Sequence, residues 1–380
     1  MNRFRNPELF LILLFLGIIV SVPLIQTLVE ARHGEGPQAL EVFKQTPTAS
    51  RLRAYERNLE EASWVAKRLR PWAQYALFAW LRDGGEKALV GREGWLFYKP
   101  GVQYLTERPR AQKGTSTAAD AVAAIVDFRN QLAARGIQLI VVPVPNKESV
   151  YPEKLTRRAV HLPGALCAET QAVLERLKAA NVTVIDLFKI FAEAKAAAPR
   201  SSPPFYLAQD SHWSPAGVEL AAQVVARRIV EERWIKPGSV AYHSKTTPIE
   251  RVGDVLRMLQ VPQLERRAVP EAIPCVQIVQ RDTSQLYRDD PSSKILVLGD
   301  SFLRIYEKDE PGGAGFVAHL AKELEQPLAS IVNDGGASTL VRQELFRRPA
   351  LLKNKKLVIW EFVERDIRLG TEGWQIVPLP

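Results

Sequence analysis

Lys294-Ile-Leu-Val-Leu298, followed at once by Gly299-Asp300-Ser301-Phe302, is the stretch whose reading decides the fold. Its unbroken apolar run reads as a strand buried on both faces, because a strand with one wet face would alternate. Such strands belong to parallel sheets, and the Gly-Asp-Ser that follows reads as a turn into a helix. Ser301 then stands just past the carboxyl end of a parallel strand, where open α/β sheets bind their ligands. An ordinary strand-to-helix turn with a capping hydroxyl uses the same residues, so the turn alone leaves its chemistry open.

A second motif gives Ser301 a use. Asp210-Ser-His212-Trp-Ser-Pro lies 89 residues upstream, counted from His212 to Ser301. A serine hydroxyl is a weak nucleophile at neutral pH and needs an imidazole within hydrogen-bond reach, which in turn needs an acceptor to fix its tautomer. With one residue between them, Asp210 and His212 fall on the same side of an extended segment, so the carboxylate can hold one ring nitrogen while the other faces outward. Ser214-Pro215 is a helix-start signature, and Ala216, Leu220, Ala221, Val224, Val225 and Ile229 recur at helical spacing behind it. Asp210, His212 and Ser301 are the candidate catalytic residues.

Outward from these motifs, strands and helices alternate. Strands are expected at 138–143, 182–187, 294–298, 329–333 and 356–362, with helices at 118–135, 168–180, 215–232, 315–325 and 339–346. That order predicts an α/β fold, a parallel sheet with helices on both faces. Between Trp234 and Pro291 the pattern fails, with prolines at 237, 248, 262, 270 and 274, and this stretch is expected to be an irregular insertion near the rim of the site. At 380 residues, 46% of them hydrophobic, the chain can bury a full core, and no internal repeat is evident.

The amino-terminal region reads differently. Leu9 to Val29 is an apolar run of 21 positions, interrupted by Gly17, Ser21, Pro23, Gln26 and Thr27 and preceded by Arg3 and Arg5. About 20 apolar residues span a hydrocarbon core, and the basic flank favours a cytoplasmic amino terminus. A cleaved signal peptide has a shorter apolar core and a small-residue cleavage site, and nothing after Val29 reads clearly as one. Residues 1–33 are therefore expected to be a short cytoplasmic tail and single-pass membrane anchor. The bulk of the chain would then lie outside the cytoplasm. Residues 34–88 read as a helical neck, broken at Pro71, whose Trp64 and Trp72 are expected to pack on a core, with a membrane-surface role as the alternative. Residues 89–380 form the expected catalytic domain, with its insertion at 234–291.

The formal charge of +9, from 51 basic and 42 acidic residues, suits an anionic partner. Export disfavours nucleic acid and leaves lipid headgroups or an acidic polysaccharide. Cys167 and Cys275 could form one bridge in an oxidising compartment or remain two free thiols, and neither has metal-ligand spacing. No metal and no cofactor is expected.

Residue by residue, the chain resembles a known family. Gly299-Asp300-Ser301 resembles the first block of the SGNH hydrolase superfamily, and Asn333-Asp-Gly335-Gly336-Ala-Ser resembles its second, whose glycine lends an N–H to the oxyanion hole. The chain is further similar to the alginate O-acetyltransferase group, the AlgJ/AlgX-like SGNH proteins of bacterial exopolysaccharide systems. The matching stretches, over roughly residues 40 to 370, are Gly91-Arg-Glu-Gly94-Trp95-Leu-Phe-Tyr98, Pro143-Val-Pro145-Asn-Lys147 through Tyr151-Pro152, the Asp210-x-His212-Trp213 segment, the Gly-Asp-Ser turn, and Val358-Ile-Trp360-Glu361-Phe-Val-Glu-Arg365. The usual SGNH Asp-x-x-His follows the serine, whereas here an Asp-x-His precedes it, as in the acetyltransferase group. The third-block asparagine has no clear counterpart, because Trp360-Glu361-Phe362 occupies that strand end.

The resemblance implies transfer of an acetyl group to hydroxyls of an exported polysaccharide through Ser301, His212 and Asp210. The N–H groups of Ser301 and Gly335 would form the oxyanion hole, and a polytopic membrane O-acyltransferase would supply the acetyl group. A polysaccharide acetylesterase uses the same triad with water as acceptor, and a non-catalytic scaffold of an export complex would keep the motifs for folding alone. Arg342 has two readings, a contact to a substrate carboxylate or a solvated helix arginine. Lys147, whose setting matches the family, is likewise a candidate substrate contact.

Overall fold

The computed structural model describes residues 7–43, 46, 48–107, 120–162, 164, 167–199 and 201–379. Arg3, Arg5 and positions 118 and 119, used in the readings above, lie outside them. The described chain divides into two compact units, one running up to Asp83 together with Gln260–Arg266, the other comprising Gly84–Leu259 and Arg267–Pro380.

The larger unit is built on nine strands: β1 (Ala88–Val90), β2 (Leu96–Tyr98), β3 (Gln138–Val144), β4 (Thr183–Val184), β5 (Tyr242–Arg251), β6 (Glu271–Gln280), β7 (Ile295–Gly299), β8 (Ala329–Val332) and β9 (Leu357–Val363). Five of them form a parallel sheet in the order β4-β3-β9-β7-β8. All five are the strands expected from the apolar runs, and the α/β architecture is the one that the alternation predicts.

Every residue of β7 and β9 is buried, as befits strands with helices on both sides. The alternation that a strand imposes then separates two cores. Ile140, Val142, Ile295, Val297, Leu357 and Ile359 face one layer with Leu187 and Phe191, Val218, Val225 and Ile229, and Phe316 and Leu320. Leu139, Val141, Leu296, Leu298, Val358 and Trp360 face the other with Ile125, Phe128 and Leu132, Val173 and Leu177, and Val341 and Leu345. Trp360 is fully buried, edge-on to Phe128 at 5.3 Å. Its truncation to alanine would cost about 3–5 kcal/mol.

The strand order is what builds the site. From β3 the chain runs outward to the edge strand β4, crosses to β7, runs out to the other edge at β8, and returns to the centre as β9. The carboxyl ends of β3, β9 and β7 therefore lie side by side, in register Leu139↔Val358 and Leu296↔Val358. Asn146 and Lys147, Glu364 and Arg365, and Ser301 all follow those ends, and Glu361 stands two residues before the end of β9.

The stretch expected to be irregular is not. Within 234–291, β5 and β6 pair antiparallel over ten residues each. Pro248 stands opposite Pro274 in that register. Two prolines facing each other occupy a pair that exchanges no hydrogen bonds, so neither missing N–H interrupts the ladder. The prolines that read as breakers are compatible with a strand because they share one rung.

The smaller unit contains the helix Pro7–Arg32, long and apolar enough to cross a membrane, with a mean hydropathy of 2.7 over its best window. Helices Ala49–Ala62 and Trp64–Ala76 follow, then a π-helical turn over Leu77–Leu81. The break falls at Ser63, not Pro71, which sits inside the second helix. Ser63 ends one helix and caps the next, its hydroxyl accepting from Ala66 N at 3.2 Å. The expectation that Trp64 and Trp72 pack on a core is corrected, since they are 41% and 63% exposed.

Candidate active site

The turn after β7 is shaped by a close approach. A side chain on Gly299 would place its Cβ 2.3 Å from Glu361 Oε2, so only glycine fits. The freed space lets the Glu361 carboxyl accept from Asp300 N at 3.1 Å. Asp300 then caps the short helix Ser301–Arg304, accepting from Phe302 N at 2.9 Å. Ser301 is left half-buried at the first helical position, and its own N–H has no acceptor within the helix.

His212 meets it from the other side. His212 Nε2 lies 2.9 Å from Ser301 Oγ, and His212 Nδ1 lies 2.6 Å from Asp210 Oδ1. The backbone His212 N donates to the same Asp210 oxygen at 3.1 Å. Trp213, fully buried beside Phe302 and Phe316, donates its indole N–H to Phe302 O at 3.1 Å, which ties the histidine segment to the serine helix. Ser214 caps the helix Pro215–Glu231, as the sequence predicts. The three candidate catalytic residues are thus brought into one hydrogen-bonded line.

The insertion supplies what the sequence motifs did not. Arg251, the last residue of β5, donates Nε to Asp210 Oδ2 at 3.0 Å, and Asp254 N donates to the same oxygen at 3.1 Å. The Asp254 carboxylate in turn accepts from Ser211 N at 2.7 Å and from Ser211 Oγ at 2.6 Å, with Oδ2 lying 3.7 Å from His212 Nδ1. Gly253 permits this, since a Cβ there would lie 2.1 Å from Gln209 O. Glu271, the first residue of β6, accepts from Ala208 N and Gln209 N at 2.8 and 2.6 Å and holds the loop leading to Asp210. No linear pattern in the sequence marks these residues.

This arrangement sets the charges. Burial pushes the Asp210 carboxyl up, but the His212 and Arg251 charges and the hydrogen bonds from His212 outweigh it and hold the group well below the usual carboxylate range. Burial works against a charged imidazole at His212, yet the Asp210 carboxylate and its hydrogen bond, then Asp254 and Asp300, hold His212 above the ordinary imidazole value. Ligand atoms of Asp210, His212 and Asp254 lie within 4.8 Å of one another. The arginine and the amide donors on those carboxylates suit a hydrogen-bonded relay, because a cation there would have to displace a guanidinium.

Gly335 follows β8 with φ +66°, a left-handed conformation that favours glycine. Asn333 N donates to Gly299 O at 3.0 Å, and Arg304 Nε donates to Asp334 Oδ1 at 3.0 Å, so the Gly335 loop lies along the Ser301 turn. At the end of β9, Glu361 is fully buried with Oε1 unpartnered. Burial first, and the Asp300 charge second, push its carboxyl well above the ordinary range.

Two expected substrate contacts are corrected. Arg342 is fully buried, with its guanidinium bonded to Ser338 O and Gln375 O and lying 4.8 Å over the Trp360 ring. Lys147 is 3% exposed, and its ammonium donates to the carbonyls of Leu96, Ala208 and Asp210, with burial lowering it to about 8. It joins β2 to the Asp210 segment and faces no solvent. The two cysteines are free thiols: Cys167 caps the helix Ala168–Ala179 and Cys275 lies buried in β6.

Comparison with known proteins places the chain in a family. Residues 88–364 match the SGNH hydrolase-like domain, acetyltransferase AlgX. The chain is 25% identical to the probable alginate O-acetylase AlgJ of Pseudomonas aeruginosa, over 79% of this chain and 75% of that protein. It is 25% identical to the protein of the same name from Azotobacter vinelandii, over 83% and 79%. Its fold is similar to the O-acetyltransferase domain of Pseudomonas putida AlgJ, with a TM-score of 0.58 and 21% identity over 75% of this chain and 93% of that one. Pseudomonas aeruginosa AlgX gives a TM-score of 0.53 and 18% identity over 73% of this chain and 61% of that one. With the match covering most of its length, the chain belongs to the SGNH hydrolase-like, AlgX acetyltransferase family.

Proposed function

We propose that this chain moves acetyl groups onto hydroxyls of an exported polysaccharide through an acetyl ester on Ser301. The observation that carries the proposal is the relay of 2.9 Å from Ser301 Oγ to His212 Nε2 and 2.6 Å from His212 Nδ1 to Asp210 Oδ1. Family membership and relatives named as alginate O-acetylases support the reaction class. An acidic, alginate-like polymer is the first acceptor to test, and it suits the net charge of +9.

In the first half-reaction His212 Nε2 takes the Ser301 proton as Oγ attacks the acetyl carbonyl. The Ser301 and Gly335 N–H groups hold the resulting oxyanion, a contribution of about 3 kcal/mol per donor. The imidazolium returns its proton to the departing oxygen of the donor, leaving acetyl-Ser301. In the second, His212 takes the proton of a sugar hydroxyl as its oxygen attacks the ester, and the imidazolium gives that proton to Ser301 Oγ as the acetyl–serine bond breaks. Asp210 fixes the tautomer that presents Nε2.

The apolar helix serves as a retained single-pass anchor in the inner membrane, with the catalytic unit in the periplasm. A membrane-bound O-acyltransferase would deliver the acetyl group there. Comparing polymer acetylation in cells carrying wild type or Ser301→Ala tests the proposal. The folded variant should give no acetylated polymer, and wild-type acetylation by it would overturn the covalent route. If the purified enzyme strips acetyl groups from oligosaccharide and adds none to any acceptor, the esterase reading replaces this one.

A further inference from the structure

The helix Trp64–Ala76 and the turn after it carry an exposed apolar face that no described residue covers. Leu69, Trp72 and Trp80 are 60%, 63% and 83% exposed. At about 100° per residue Leu69 and Trp72, three residues apart, fall about 60° from each other on the helix, and Arg68 and Arg70 fall about 100° to either side of Leu69; Trp80 follows in the π-helical turn. Lys67 and Arg82 are also exposed, while Arg70 pairs with Glu60. An exposed tryptophan-bearing stripe flanked by cations is the pattern of a helix lying in a membrane interface.

A second observation places the start of this helix at the right height. Trp64 N donates to Gln26 Oε1 at 2.8 Å, and Gln26 Nε2 donates to Ala62 O at 3.4 Å. Gln26 lies in the last two turns of the apolar helix Pro7–Arg32, about 9 Å before its end at 1.5 Å per residue. One turn on, Glu30 is 3% exposed, bonded to Gln26 Nε2 and Gln38 N. Gln26, which interrupts the apolar run, and Glu30, just past its end, are thus docking points for the chain that follows.

We propose that Trp64–Leu81 lies along the periplasmic headgroup zone of the bilayer, with Leu69, Trp72 and Trp80 in the acyl boundary and Lys67, Arg68 and Arg82 on anionic phosphates. This rests on the reading of Pro7–Arg32 as a retained span. Tryptophan rings favour this depth, having an apolar body and a polar N–H.

The full chain, reconstituted in phosphatidylcholine vesicles with and without phosphatidylglycerol, tests it. Tryptophan emission is read with phosphatidylcholine brominated near the headgroup or deep in the chain, for wild type and Trp72→Phe/Trp80→Phe. Shallow bromine should quench wild type more than the double variant, and more strongly when phosphatidylglycerol is present. Equal quenching in a chain that floats with the vesicles would overturn the interfacial helix and leave the face to a protein partner. A chain that does not float would overturn the span itself, and the inference with it.

Discussion

Arg251 donates Nε to Asp210 Oδ2 at 3.0 Å, so the residue that orients the candidate base is itself held by a strand end 41 residues further along the chain. The other Asp210 oxygen accepts from His212, through ring and backbone nitrogens. Arg251 also stands 3.8 Å from Asp309, which pairs with Arg304 of the serine helix. Arg251→Met should therefore cost about 1.5–3 kcal/mol of stability, the range for a hydrogen bond to a charged group. It should lower kcat with little change in KM for the acceptor. Thermal unfolding together with steady-state kinetics checks both.

Asp254 acts on the same histidine through space. With His212 held above the ordinary imidazole value, the base is protonated, and the enzyme inactive, at pH values below that raised pKa. Activity should rise through it to a plateau. Asp254→Asn removes one of the negative charges that raise it, so the acid limb should move to lower pH. A pH–rate profile of small-ester hydrolysis reads the shift, and movement to higher pH would contradict this account of the charges.

Glu361 favours its neutral form in the folded state, and so does Asp366, which burial first and the Asp300 charge second push to about 7. A carboxyl whose folded pKa is raised contributes stability that is full below its unfolded value and is lost as pH rises through the folded one. The domain should accordingly lose stability between about pH 5 and pH 8. Glu361→Gln keeps an acceptor for Asp300 N and cannot ionise, so it should flatten that decline and retain activity. Glu361→Ala should lose both the brace on the serine turn and most of kcat. Melting curves at the two pH values, with kinetics beside them, separate these outcomes.

Lys147 distinguishes a structural cation from a substrate contact. Lys147→Met removes one donor from each of three carbonyls, one of them that of Asp210. Stability and kcat should fall while KM for an acidic oligosaccharide stays the same. A rise in KM alone would restore the substrate role.

The parallel sheet was legible because β3, β7 and β9 are apolar runs buried on both faces, and the helix Pro215–Glu231 because Ser214-Pro215 stands just ahead of residues recurring at helical spacing. Ser301, Asp210 and His212 could be chosen from local pattern, since each stands at an element boundary. Arg251, Asp254 and Glu271 could not, because their roles depend on how β5 and β6 fold back onto the Asp210 loop, a long-range closure that leaves no periodic trace. Pro248 and Pro274 hid that pair by reading as breakers one at a time. Arg342 was misjudged for the opposite reason: an arginine on a short helix reads as solvated, and only the tertiary fold lays it over Trp360.

The most direct test of the central claim is to find the acetyl group on the enzyme. The purified chain is mixed with an activated acetyl ester, quenched in acid, and mapped by peptide mass spectrometry before and after an acceptor oligosaccharide is added. The relay of Ser301, His212 and Asp210 requires one acetyl group on the peptide containing Ser301, its disappearance as the acceptor gains the same mass, and no label in Ser301→Ala. Acetyl transfer to the acceptor with Ser301 never labelled, or undiminished in Ser301→Ala, would contradict it.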